Sequence, residues 1–135
     1  MASQTIGFIG VGTMGQPMAR CLDAAGFPLL VNDVDKATAD AFAAEIGATV
    51  APTPKDVAEA AEIVVTMLPT GADVRAVALG ADGLADGFAD GGVLIDMSSS
   101  EPSGTQALAA ELAGRGIAMI DAPVSGGRAK AVDGT

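Results

Sequence analysis

Short apolar runs alternate with segments of helical periodicity along this chain of 135 residues. Two of the runs, 63–65 and 93–95, are apolar at every position, which is typical of strands buried on both faces. The predicted strands are 5–10, 28–32, 48–50, 62–67, 92–96 and 116–120. The predicted helices are 13–25, 36–45, 54–60, 71–78 and 102–114. Because strands and helices alternate, we predict a parallel sheet with helices on its faces.

Capping residues indicate where the helices begin. Thr53 is a predicted N-cap, and Pro54 then occupies the first helical position. Ser99 or Ser100 is expected to open the last helix in the same way. The glycine-containing stretch 80–92 is predicted to be a mobile connection.

The first predicted strand ends in three spaced glycines, Gly10, Gly12 and Gly15. In a dinucleotide-binding turn the first glycine allows a tight turn, and the second lets a pyrophosphate approach the backbone. The third lets the following helix pack close to the strand. An ordinary tight turn is the alternative in a chain with 18 glycines. The strand before and the helix after them favour a phosphate site at the helix N-terminus, and hence a Rossmann doubly wound sheet in three α/β/α layers.

Asp33 ends the second predicted strand, 18 residues after Gly15. An acidic residue at this offset is expected to accept hydrogen bonds from the adenosine ribose. Its carboxylate would also repel the additional phosphate of NADP, so NAD is the predicted cofactor and NADP the less favoured one. The alternative is a turn residue, or a cap for the helix that begins near Lys36.

Composition limits the classes of function. The formal net charge is −10 and the seven basic residues are scattered, which argues against nucleic acid as a partner. No apolar run is long enough to span a membrane, and the start of the chain does not resemble a signal peptide. Cys21 is the single cysteine, which fits a reducing compartment, the cytoplasm or the mitochondrial matrix of a eukaryote. The length suits one domain, 1–135, and with only four aromatic residues its core is predicted to be aliphatic.

The chain contains no histidine, which excludes a Ser-His-Asp or Cys-His arrangement and a His-ligated zinc site within it. No metal site is predicted. Proton transfer within the chain would have to use a carboxylate or one of the lysines Lys36, Lys55 and Lys130.

In a parallel sheet, ligands bind beyond the carboxyl ends of the strands. We therefore expect the segments that follow five of the strands to converge on one cleft. These segments are 10–15, Asp33, 67–70, 96–100 and 121–127.

Four of these segments together resemble the β-hydroxyacid dehydrogenase family, over essentially the whole chain. Segment 8–19 resembles the cofactor signature of the family, and 67–69 resembles its second cofactor segment. Segment 96–99 resembles its Asp-x-Ser-Thr turn, and 121–127, Asp-Ala-Pro-Val-Ser-Gly-Gly, resembles its substrate-binding segment.

The resemblance implies an NAD-dependent oxidoreductase that acts on a small carboxylate substrate, a 3-hydroxyacid or a semialdehyde, and that forms homo-oligomers at full length. The predicted cofactor-binding residues are Gly10, Val11, Gly12, Thr13, Met14, Gly15, Asn32, Asp33, Leu68, Pro69 and Ser99. The predicted substrate-binding residues are Ser125, Gly126 and Gly127.

Each of these later segments also has a simpler interpretation. The hydroxyl of Ser125 and the N–H groups of Gly126 and Gly127 are expected to form a small anion-accepting concavity, but Ser-Gly-Gly is also a common surface turn. Leu68 and Pro69 are expected to form an apolar surface beside the cofactor. The alternative is that they only end a strand. Ser99 suits a place near the nicotinamide and equally a helix N-cap. Asp96 and Asp121 are expected to be structural.

Members of the family continue with further strands and a helical domain that carries the catalytic lysine. The expected lysine would lie beyond Thr135, so no catalytic residue is predicted in this chain. Lys130 is expected to be a solvated loop residue. We therefore expect a domain that binds NAD and turns over little or no substrate by itself.

Other functions are also compatible with this sequence. A dehydrogenase like that for 6-phosphogluconate, or an imine reductase, would use the same cofactor domain. A non-catalytic nucleotide-sensing module would share the fold. A methyltransferase is less favoured, because the glycine spacing and the offset of Asp33 suit a pyrophosphate.

Overall fold

The computed structural model of the chain describes residues 4–98, 101–123, 130–132 and 134. The strands are β1 (Ile6–Ile9), β2 (Leu29–Asn32), β3 (Thr49–Val50), β4 (Ile63–Thr66), β5 (Val93–Asp96) and β6 (Ala118–Asp121). The helices are α1 (Gly15–Ala24), α2 (Lys36–Ile46), α3 (Pro54–Ala60), α4 (Gly71–Leu79), α5 (Leu84–Gly87) and α6 (Pro102–Ala113).

The strands form one parallel sheet in the order β3-β2-β1-β4-β5-β6. β1 lies between β2 and β4, so Ile6 is opposite Leu29 on one side and Ile63 on the other. The strand order therefore reverses between β1 and β4, which is the position where sheets of this type bind ligands. The predicted doubly wound α/β/α architecture is confirmed.

Two hydrophobic clusters cover the two faces of the sheet. One is built on α3, α4, α5 and α6 and contains aliphatic residues such as Val57, Val74 and Leu108. The other lies under α1 and α2 and includes Phe8 and Phe42, the two largest fully buried side chains. The prediction of an aliphatic core is therefore wrong for this cluster, which contains two phenylalanine rings. The Phe8 ring fits because α1 passes it with Gly15, which has no side chain to occupy the same space.

Side-chain caps open three of the helices. Asp35 accepts hydrogen bonds from the N–H groups of Ala37 and Thr38 at the start of α2. Thr53 caps α3, with Pro54 at its first position, as predicted. Thr70 caps α4. For α6 the N-cap position is Glu101, which makes no side-chain cap bond, rather than a serine; the predicted Ser99 and Ser100 lie outside the described residues.

The stretch 80–92 is not simply a mobile connection, because it contains α5. Leu84 is fully buried there, and α5 packs on α3. Lys55 donates its backbone N–H to the carbonyl of Asp82, with a distance of 2.9 Å between the atoms. A helix of four residues is too short to show an amphipathic period in the sequence, which explains why it was not predicted.

Among the described residues, no helix combines the length and the apolar composition that crossing a membrane requires.

The packing of α5 on α3 can be tested at Gly87. A Cβ atom there would overlap the Lys55 carbonyl oxygen. We expect Gly87→Ala to lower the free energy of unfolding by about 1–3 kcal/mol, because overpacking forces the backbone to shift. Gly104 in α6 is the matched control, because a Cβ there meets no atom within 4 Å. Gly104→Ala should raise the stability by about 0.5 kcal/mol, in line with helix propensity. Urea unfolding of both variants measures the difference, and equal effects would contradict the packing.

Candidate functional site

A cavity of about 900 Å³ opens at the carboxyl edge of the sheet. The loops that follow β1, β2, β3 and β4 all line it, together with residues of α2 and of the connection between α4 and α5. Ligand pockets in proteins have volumes of roughly 300–1,000 Å³, so a dinucleotide-sized molecule is a suitable occupant.

The strand ends converge only in part as predicted. The segments after β1, β2 and β4 meet at this cavity, and the segment after β3, 50–54, joins them although it was not among the five expected. Asp96, which ends β5, lines a neighbouring cavity of about 480 Å³ that shares Pro69 with the first. Of the predicted segment 121–127 after β6, residues 124–127 lie outside the described residues.

Two of the three glycines are required by the fold itself. Gly10 has a φ of 99°, and a Cβ atom there would overlap the carbonyl oxygen of Met67. A Cβ on Gly15 would overlap the carbonyl oxygen of Gly10, because α1 starts in direct contact with the end of β1. Both positions therefore exclude side chains whether or not a ligand is bound.

Gly12 differs from the other two. It is exposed, it lines the cavity, and a Cβ atom there would meet no protein atom within 4 Å. Nothing in the packing of the described residues requires a glycine at this position. A side chain would instead enter the space that a pyrophosphate needs in order to approach the backbone. The position therefore fits a bound dinucleotide.

The N-terminus of α1 faces the same space. Its N-cap residue, Met14, makes no side-chain cap bond, and the first turn contains no acidic residue. The starts of α2, α3 and α4 are all capped by a side chain. In the first turn, the N–H of Gln16 is bonded to the carbonyl of Gly12 at 3.0 Å, and Pro17 has no N–H. The positive end of the α1 dipole and the N–H groups before Gln16 thus favour an anion in the cavity.

Asp33 connects the glycine loop to the end of β2. Its Oδ2 atom accepts a hydrogen bond from the N–H of Val11, and its Oδ1 atom accepts one from the N–H of Asp35, each at 2.9 Å. The turn role considered for Asp33 is therefore present, whereas the cap of α2 is Asp35 and not Asp33. A carboxylate has about four acceptor positions, so two remain for ribose hydroxyl groups.

Val11 and Asn32 are buried and bonded within the protein. The carbonyl of Val11 accepts from Gln16 Nε2, and Asn32 Nδ2 donates to the carbonyl of Ala51, both at 2.9 Å. Their arrangement positions the loops after β1 and β3. Direct contact of either residue with the cofactor remains a prediction.

Residues 5–135 match the model of a family described as the NAD binding domain of 6-phosphogluconate dehydrogenase. The chain belongs to this family of NAD-binding domains. It is 44% identical over 128 residues to the mitochondrial 3-hydroxyisobutyrate dehydrogenase of Rattus norvegicus. That match covers 94% of this chain and 38% of the rat protein, so the chain spans about two fifths of its relative.

Solved structures agree with this assignment. The 3-hydroxyisobutyrate dehydrogenase of Mycobacterium tuberculosis, solved with L-serine, superimposes with a TM-score of 0.89 at 32% identity over 98% of this chain and 44% of its own. Psf3 in complex with NADP+ and 2-OPP gives a TM-score of 0.89 at 32% identity, over 96% of this chain and 45% of its own.

In this NAD-binding domain, Gly10, Gly12, Thr13, Met14 and Gly15 line one part of the cavity, as predicted from the sequence. Asn32 and Asp33 line a second part, and Leu68 and Pro69 a third. Ser99, Ser125, Gly126 and Gly127 lie outside the described residues. Contact of each residue with NAD or with a substrate stays a prediction.

Sequence reasoning missed two contributors. Val34 follows Asp33 at the cavity and is 97% exposed, which is unusual for a large apolar side chain and suits a surface that a flat ring could cover. Its signal was its position directly after Asp33, the carboxylate predicted to bind the ribose. The other contributor is Ser98, which is fully buried at the end of β5.

Ser98 belongs to a buried polar network at the ends of β4 and β5. Asp96 Oδ1 accepts hydrogen bonds from Thr66 Oγ1 and from the N–H of Ser98, each at 3.0 Å. Ser98 Oγ in turn accepts from the N–H of Leu68 at 2.8 Å. Asp96 is thus structural, as expected. Through the bond to the N–H of Leu68, the network holds the Leu68-Pro69 segment that lines the cavity.

Asp121, the other aspartate expected to be structural, is exposed at the end of β6. Its register partner on β5 is Asp96.

Gly12 provides a test that separates binding from folding. We expect Gly12→Val to lower NAD affinity by about tenfold or more while the thermal unfolding temperature stays near that of the parent, because the side chain fills ligand space only. Gly15→Ala is the contrasting variant, and it should destabilise the domain through the overlap with Gly10. Calorimetric titration and thermal unfolding measure the two effects. Unchanged affinity in Gly12→Val would contradict the pyrophosphate site.

A second test removes the acceptor for the Leu68 N–H. Ser98→Ala should lower the free energy of unfolding by about 1–3 kcal/mol, the usual cost of an unsatisfied buried donor. It should also weaken NAD binding, because the Leu68-Pro69 wall loses its support. Ser103→Ala on α6 is the control, since Ser103 is exposed and does not line the cavity. Wild-type NAD affinity in Ser98→Ala would show that the network does not position the wall.

Proposed function

We propose that the protein carrying this domain is an NAD-dependent dehydrogenase of small 3-hydroxyacids, with 3-hydroxyisobutyrate or its semialdehyde as the model substrate. The observation that carries the proposal is the 44% identity to a 3-hydroxyisobutyrate dehydrogenase along nearly the whole domain. The open position at Gly12 and the uncapped start of α1 support the cofactor part of the proposal.

In the proposed oxidation, the carbon that bears the hydroxyl loses a hydride to the nicotinamide, and the hydroxyl oxygen loses its proton to a base. This domain supplies binding and orientation. The glycine loop and the start of α1 hold the diphosphate, Asp33 accepts from the ribose hydroxyls, and Leu68-Pro69 shapes the apolar wall. Ser125, Gly126 and Gly127 are proposed to hold the substrate carboxylate.

The base is proposed to be the lysine that the family resemblance puts in a helical domain. Lys130, the lysine nearest to the predicted substrate segment, is exposed. We accordingly expect the chain of 135 residues by itself to bind NAD and to turn over little or no hydroxyacid.

We further propose that NAD is preferred over NADP, because the carboxylate of Asp33 lines the cavity next to the glycine loop and would repel a 2′-phosphate. A homo-oligomer and a location in the cytoplasm or the mitochondrial matrix remain predictions for the full-length protein.

The decisive experiment assays the full-length protein that carries this domain with NAD and three substrates: 3-hydroxyisobutyrate, 6-phosphogluconate and, in the reductive direction, a cyclic imine. We expect kcat/KM to be highest for 3-hydroxyisobutyrate. A preference for the sugar phosphate or for the imine would replace the proposed substrate class. NAD binding with no turnover of any substrate would favour a nucleotide-sensing module. Turnover by the isolated chain at ordinary enzyme rates would contradict the expected position of the base.

A further inference from the structure

The start of α2 lies at the part of the NAD cavity where the ribose is expected. Asp33 and Asp35 precede the first residue of α2, and Asp40 lies one turn into the helix. Each of them already accepts a hydrogen bond from a donor of the protein. The first is Asp33, which binds the N–H groups of Val11 and Asp35.

The second is Asp35. The N-terminus of a helix is normally a favourable place for a phosphate, because its N–H groups and dipole face outward. Here Asp35 Oδ1 accepts from the N–H groups of Ala37 and Thr38, at 3.1 and 3.3 Å. The helix donors are therefore bonded to a carboxylate of the protein.

The third is Asp40. Its Oδ2 atom lies 2.9 Å from Lys36 Nζ, one helical turn earlier on α2. Among the described residues that line the cavity, Lys36 is the only cation, and it shares the lining with the carboxylates of Asp33, Asp40 and Asp82. The one amine that could receive a phosphate at this position is thus paired within the protein.

We propose that Asp40 is a second determinant of the NAD preference, and that it acts by holding the amine of Lys36. Asp33 repels the 2′-phosphate directly, whereas Asp40 removes its counter-charge. This inference rests on the proposed preference for NAD. It predicts that NADP affinity can be raised at a residue distinct from Asp33.

The expected effect is moderate, because the Lys36 and Asp40 side chains are 78% and 50% exposed. An exposed ion pair changes an equilibrium by up to about fivefold, and salt screens the effect. Asp40→Asn should therefore raise NADP affinity by about three- to fivefold at low salt, and by less at 0.5 M NaCl. The ratio of NADP to NAD affinity should rise with it.

The chain contains a matched control. Lys55 and Glu59 form a similar exposed pair four residues apart on α3, with 3.9 Å between Nζ and Oε1, and neither lines the cavity. Glu59→Gln removes the same charge from the domain without touching the site. It should leave the ratio of NADP to NAD affinity unchanged.

Calorimetric titration of the 135-residue chain with NAD and NADP tests the proposal on four proteins: the parent, Asp40→Asn, Glu59→Gln and Lys36→Ala/Asp40→Asn. A gain in NADP affinity in Asp40→Asn that is absent from Glu59→Gln and from the double variant supports it. A gain equal to that of Glu59→Gln, or one that survives the loss of Lys36, overturns it. A parent chain that prefers NADP would overturn the proposed preference itself, which the parent titration reveals separately.

Discussion

The contact between the end of β1 and the start of α1 is the constraint on which the rest of the domain depends. Gly15 leaves no room for even a methyl group beside the carbonyl of Gly10, so helix and strand meet backbone to backbone. This approach leaves space for the Phe8 ring in the core beneath α1. It also brings the uncapped N-terminus of α1 to the point where the strand order reverses. Packing and ligand binding thus come from the same junction.

The sheet could be predicted from the sequence because its central strands are buried on both faces. Runs such as 63–65 are apolar throughout, whereas apolar residues in the intervening segments recur with the period of a helix. The type and the order of the elements therefore follow from the local pattern. The roles of Gly10 and Gly15 could be predicted for a similar reason, since their spacing encodes a backbone geometry. The structure adds that Gly12 is the one of the three that the described packing does not require.

What the sequence did not reveal depends on contacts between distant segments. The hydroxyl oxygen of Ser98 accepts a hydrogen bond from the N–H of Leu68, which lies 30 positions earlier in the chain. The short helix α5 is stabilised by the burial of Leu84 and by its packing on α3. The segment after β3 reaches the cavity because Asn32 holds the Ala51 carbonyl. None of these pairings leaves a periodic signal. The dual position of Asp33, bonded both to the glycine loop and to its own turn, belongs to the same class.

Because the N–H of Val11 is bonded to Asp33, the proposed preference for NAD over NADP and the proposed binding of the diphosphate depend on the same residue. Asp33 is the residue proposed to discriminate at the ribose, and it also accepts the N–H of Val11 in the glycine loop proposed to hold the diphosphate. If Asp33 were replaced during evolution toward NADP binding, the same substitution would also remove the hydrogen bond that supports the glycine loop. Further changes in that loop would then be needed for NADP to bind as tightly as NAD.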